Sequence, residues 1–164
     1  MRVFLDTNVL VSALATRGIC ADVLQVVVAE HTLIVSETVL GDFRRVLRDK
    51  LAVPVATVES AEAFLRRQGL VIERAPALGI EVRDPDDVAV LEQAIAGETD
   101  MLVTGDRDLL EIDGDIPIRI VSPRGLWEAL RSEIGRRVTR LHPTSRSGHR
   151  AGMPRTRQSR PADR

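Results

Sequence analysis

The sequence predicts one α/β domain built on a parallel sheet, and three observations carry that expectation. Short apolar runs, such as Val3-Phe4-Leu5, Leu33-Ile34-Val35 and Leu102-Val103, alternate along the chain with helical patterns. The runs are continuously apolar rather than alternating, as expected of strands covered on both faces. Two of them stop at acids, Asp6-Thr7-Asn8 and Thr104-Gly105-Asp106. Parallel sheets bind ligands just beyond the carboxyl ends of their strands.

Taken in order, Arg2–Leu5 reads as a buried central strand. Val9 to about Ala15 then reads as a helix that breaks near Arg17-Gly18, and Ala21–Glu30 as a second, strongly apolar one. His31–Val35 is a short strand closed by Ser36, a good helix N-cap. The helix over Glu37–Lys50 carries the stripe Val39, Leu40, Phe43, Val46, Leu47, with Asp42 on its margin. Val55–Gln68 is a helix stopped by Gly69, and Leu70–Glu73 a strand. A loop over 74–83 leads to Arg83-Asp84-Pro85-Asp86-Asp87, with Pro at the first helical position after an Asp cap, and the helix runs to Gly97. Met101–Thr104 is a buried strand. Ile116–Val121 contains Pro117 and reads as an edge strand. Ser122-Pro123 introduces a last helix, Leu126 to about Arg137. From Leu141 onward apolar periodicity disappears, and His142–Arg164 reads as disordered.

The 164 residues suit one domain over 1–137 and a basic tail over 138–164. The formal charge of −1 conceals an asymmetry: residues 131–164 hold ten Arg and two acids, while 1–130 hold 13 basic and 22 acidic residues. No apolar run approaches the ~20 residues of a membrane span, and the N-terminus starts directly on the strand, so a cytoplasmic location is expected. Cys20 is the single cysteine, which excludes an intrachain disulfide and a thiolate metal cage. His31, His142 and His149 have no paired ligand spacing. A metal in this chain must therefore be held by oxygen. Three Phe, one Trp and no Tyr leave little for base stacking.

Each acid also has an ordinary reading. Asp6 can cap the following helix, and Asp42 can pair with Arg45 at the protein surface. Asp84 can cap the helix that Asp87 begins, and Asp106 can close an Asx-turn. If the strands ending at Asp6 and Gly105-Asp106 are neighbours, however, Asp6, Asp42, Asp87 and Asp106 converge on one rim. Carboxylates so crowded either take up protons or bind a hard cation such as Mg²⁺ or Mn²⁺. The chemistry that suits such a rim is metal-assisted hydrolysis of a phosphodiester.

Val3-Phe4-Leu5-Asp6-Thr7-Asn8, Leu40-Gly41-Asp42-Phe43 with Val46-Leu47, Asp84-Pro85-Asp86-Asp87 followed by Ala94, and Leu102-Val103-Thr104-Gly105-Asp106-Arg107-Asp108-Leu109-Leu110 together resemble the ordered motifs of PIN-domain proteins, closest to the toxin components of toxin–antitoxin modules. The resemblance covers about residues 1–130. It implies a three-layer α/β/α fold with a five-stranded parallel sheet in the order 3-2-1-4-5. It also implies Mg²⁺- or Mn²⁺-dependent ribonuclease activity, frequent homodimers, and an antitoxin that blocks the site. By position Asp6, Asp42, Asp87 and Asp106 match the family's acidic quartet, with Asn8, Thr104 and Asp108 in support. The chain departs from the pattern at Asp42, where Glu is usual. The leading reading is thus a metal-dependent endoribonuclease acting on RNA, and the alternative is a weak or inactive PIN-fold module that binds RNA or protein. A phosphatase using Asp6 as nucleophile is disfavoured, because Asn8 stands where haloacid-dehalogenase phosphatases carry a second Asp.

Overall fold

The computed structural model describes residues 1–79, 85–112 and 116–141, together with the side chains of most of them. Five strands form one sheet: β1 (Arg2–Leu5), β2 (Thr32–Ser36), β3 (Gly69–Ile72), β4 (Met101–Val103) and β5 (Arg119–Val121). All neighbours are parallel and the order is β3-β2-β1-β4-β5. Successive residues of a strand face opposite sides of the sheet. Val3, Phe4 and Leu5 are all fully buried, as are Leu33, Ile34 and Val35, so the sheet is covered on both faces.

The helices are α1 (Thr7–Ala15), α2 (Ile19–Glu30), α3 (Glu37–Arg45), α4 (Val55–Gln68), α5 (Pro85–Ala96), the short α6 (Arg107–Leu110) and α7 (Pro123–Leu141). Helix α2 packs on α1 and α7, while α3 packs on α4 and reaches α1. Val9, Leu10, Val23 and Val27 from one group of helices, and Val39, Leu40, Phe43, Val58 and Leu65 from the other, complete a continuous core. Ser36 ends β2 and caps α3 by accepting the Val39 N–H at 3.2 Å. Because α2 and β2 place the chain on one side of β1, and β4 lies on the other, strand order reverses between β1 and β4.

Several boundaries differ from those expected, each for a local reason. The helix expected over Glu37–Lys50 changes at Val46 into a π-helical turn, Val46–Lys50. Gly69 does not end α4 in a left-handed cap, since its φ is −112°. It is instead the first residue of β3, where a Cβ would lie 3.1 Å from Leu33 Cγ, so the glycine admits β2 at close range. Pro117 precedes β5 rather than interrupting it, consistent with β5 being the sheet's edge. Helix α7 continues past Arg137 to Leu141. Asp84, the predicted cap of α5, and the predicted tail over 142–164 lie outside the described residues. Among the described residues no single helix is long and apolar enough to cross a membrane.

Candidate metal centre and active site

The reversal between β1 and β4 places two carboxylates side by side. Asp6 directly follows β1 and caps α1; Thr104-Gly105-Asp106 follows β4, and Asp106 caps α6. Asp6 is buried, with 7% of its surface exposed. Its Oδ1 accepts the Thr7 N–H at 2.6 Å, and its Oδ2 accepts Asn8 Nδ2 at 2.8 Å and the Thr104 hydroxyl at 2.6 Å. Three donors thus converge on one carboxylate, leaving one of its ~4 lone-pair directions, on Oδ1.

Thr104 organises the rest of this network. Its oxygen accepts Asn8 Nδ2 at 3.2 Å and the Asp106 N–H at 3.0 Å, which directs its own proton to Asp6. Asn8 Oδ1 accepts the Gly105 N–H at 2.9 Å, and a Cβ on Gly105 would stand 3.3 Å from that oxygen. A side chain at this position would crowd Asn8 by a few tenths of an ångström. Burial pushes the Asp6 pKa above its ordinary 3.8; the hydrogen bonds from Thr104 and Thr7 oppose the shift, and the neighbouring charge of Asp106 adds to it.

Asp6, Asn8, Asp42, Asp87 and Asp106 all line one cavity of about 630 Å³. Four acids from α1, α3, α5 and α6 that are remote in sequence are thereby gathered at the carboxyl end of the sheet. Within the group the carboxylates are not equivalent. Asp87, Asp106 and Asp108 can each offer an oxygen such that all three oxygens lie within 4.8 Å of one another. Opposite ligands of an octahedral Mg²⁺ lie about 4.2 Å apart, so this trio fits a small hard cation after little adjustment. Asp108, expected only in support, is thus closer to Asp87 and Asp106 than that role requires.

Asp42 lines the same cavity but accepts Arg45 Nη2 at 2.5 Å. Its surface pairing and its place at the rim hold together. The cavity lining also includes residues beyond the sequence candidates, among them Thr38 and Arg45. Thr38 Oγ1 accepts Gln93 Nε2 at 2.8 Å, which ties α3 to α5 behind the site. The signal for both was present: Thr38, Asp42, Arg45 and Val46 form a second helical stripe, offset by one residue from the apolar one. Asp86, the other acid beside Asp87, has no described side chain.

Fold and site together define an α/β protein that collects carboxylates where the order of a parallel sheet reverses. The chain belongs to the PIN-domain family, whose model matches residues 2–108; PIN domains are generally metal-dependent nucleases. Among solved structures it is similar to a chain of VapBC2 from Rickettsia felis, crystallised bound to a DNA fragment from their promoter. That similarity has a TM-score of 0.55 at 17% identity and covers 74% of this chain and 98% of the other. No curated protein matches the chain.

Proposed function

We propose that this PIN domain is a divalent-metal-dependent endoribonuclease and the toxin of a toxin–antitoxin pair. The observation that carries the reading is the single cavity joining Asp6, Asp42, Asp87 and Asp106, two of which, Asp87 and Asp106, can each place a carboxylate oxygen within 4.8 Å of the other's and of one from Asp108. Asp87, Asp106 and Asp108 would hold Mg²⁺ or Mn²⁺, with Asp6 contributing through its remaining Oδ1 direction. When bound, such an ion supplies a water of lowered pKa and stabilises the charge that develops on the phosphodiester.

The chain's own residues prepare the site. Thr104, Asn8 and the Thr7 N–H fix the orientation of the Asp6 carboxylate before any ligand arrives, which lowers the reorganisation needed during reaction. Asp42, on the α3 wall, would orient the attacking water. The VapBC2 complex supports a protein partner for this chain, and an antitoxin that covers the cavity mouth would block RNA; a homodimer is part of the same reading.

The test is cleavage of a labelled RNA with Mn²⁺, with EDTA, and by Asp6→Asn. Cleavage should require the cation, and Asp6→Asn should lower turnover about 10³-fold, equivalent to about 4 kcal/mol of barrier. An Asp6→Asn protein as active as the wild type, in a preparation free of host nuclease, would remove the proposal. The second reading, a PIN-fold module that binds RNA or protein without cutting, draws on the Asp42–Arg45 pair. It predicts RNA binding with no cleavage in Mn²⁺.

A further inference from the structure

The cavity is acidic, and a nuclease must bring a polyanion into it. Among the described residues that line it, Arg45 is the only cation. It lies on α3 one turn beyond Asp42, on the stripe that also carries Thr38, and its side chain is 65% exposed while bonded to Asp42. We propose that Arg45 is the substrate-phosphate-binding residue of this site, held at the cavity by the same Asp42 that would orient the attacking water.

The proposal rests on the ribonuclease reading above and gives it a specific contact. The Asp42 pair is an exposed one, of a kind that stabilises little, and it keeps the guanidinium at the cavity. A guanidinium presents planar forked donors and can engage a carboxylate and a phosphate at once, which an ammonium does less well. The chain's Asp in place of the usual Glu fits this arrangement: the i, i+3 pairing with Arg45 is made at 2.5 Å by the shorter side chain.

The experiment measures binding of a fluorescein-labelled single-stranded RNA dodecamer by anisotropy in EDTA, at several salt concentrations, with Mn²⁺ binding followed separately by calorimetry. Arg45→Ala should weaken RNA binding about tenfold at low salt. It should also reduce the slope of log K against log salt by about 0.7, the loss of one phosphate contact. Arg45→Lys should keep the slope but recover only part of the affinity. Mn²⁺ binding should be unchanged or slightly tighter. RNA affinity and slope equal to wild type in Arg45→Ala would overturn the assignment, as would a variant that binds RNA more tightly, because Arg45 would then be plugging the site. Binding in EDTA is independent of turnover. A wild-type protein that cleaves RNA while Arg45→Ala binds normally therefore sinks this inference alone, whereas RNA binding that depends on Arg45 without any cleavage sinks only the nuclease reading.

Discussion

Thr104 shows how one hydroxyl can set the charge state of a site. It donates to Asp6 while accepting from Asn8 and the Asp106 N–H. Replacing it with Val keeps the shape but takes the acceptor from the Asp106 N–H and one of two from Asn8 Nδ2, which keeps Asp6, at a cost of about 1–3 kcal/mol. The carboxylate also loses a bond that favours its charged form, so the Asp6 pKa, already raised by burial, rises further. A group whose folded pKa is raised contributes stability that is complete below its unfolded value and is lost as pH rises through the folded one. The urea-measured loss in Thr104→Val should therefore be larger at pH 7 than at pH 5. Mn²⁺ binding, which needs the carboxylate, should fail at a higher pH than in the wild type. An equal loss at both pH values would mean that Thr104 acts only through packing. In the sequence, capping and chemistry looked like rival roles for Asp6 and Asp106. Capping does not remove either carboxylate from the cavity: each caps its helix and still lines the cavity. A cap occupies only part of a carboxylate's acceptor capacity.

At the scale of elements, α3 presents two stripes, and hydrophobic periodicity announces only one of them. Val39, Leu40 and Phe43 of α3 were legible because they are apolar and periodic, whereas the adjoining Thr38, Asp42 and Arg45 follow the same period with residues of mixed type. Hydrophobic periodicity does not register such a face. Turn chemistry misses a related feature, because a glycine can be favoured by packing as well as by dihedral angle. The end of α5 illustrates this: a Cβ on Gly97 would come 2.9 Å from Ile34 Cγ2 on β2, while the following Glu98 takes the left-handed conformation with φ 48°. Gly97→Ala should therefore destabilise by about 1–3 kcal/mol through overpacking. Glu98→Gly should be neutral or stabilise by up to about 1 kcal/mol, as the left-handed strain of a non-glycine residue is relieved. Thermal melts of the two variants compare them directly, and a stabilising Gly97→Ala would show that β2 yields at Ile34.

At the scale of the whole molecule, charge is divided unevenly along the chain, acidic over residues 1–130 and basic beyond. The alternation of strands and helices gave the fold class, but periodicity carries no information about which strands are neighbours; the order 3-2-1-4-5 was available only through the family resemblance. Among the residues whose side chains are described, the buried apolar core ends at Leu130, and residues 142–164 hold six Arg and a single acid. We expect this segment to collect RNA phosphate for an otherwise acidic domain by salt-sensitive attraction. A chain ending at Leu141 keeps every described core residue and should melt at the same temperature as the full one. It should bind RNA more weakly at low salt, with the dependence of log K on log salt reduced by about 0.7 for each phosphate contact removed. Turnover at saturating RNA should not change, because the cavity is built from α1, α3, α5 and α6. An unaltered salt slope would show that the segment takes no part in gathering the substrate, and a lower melting temperature would show that it packs on the domain.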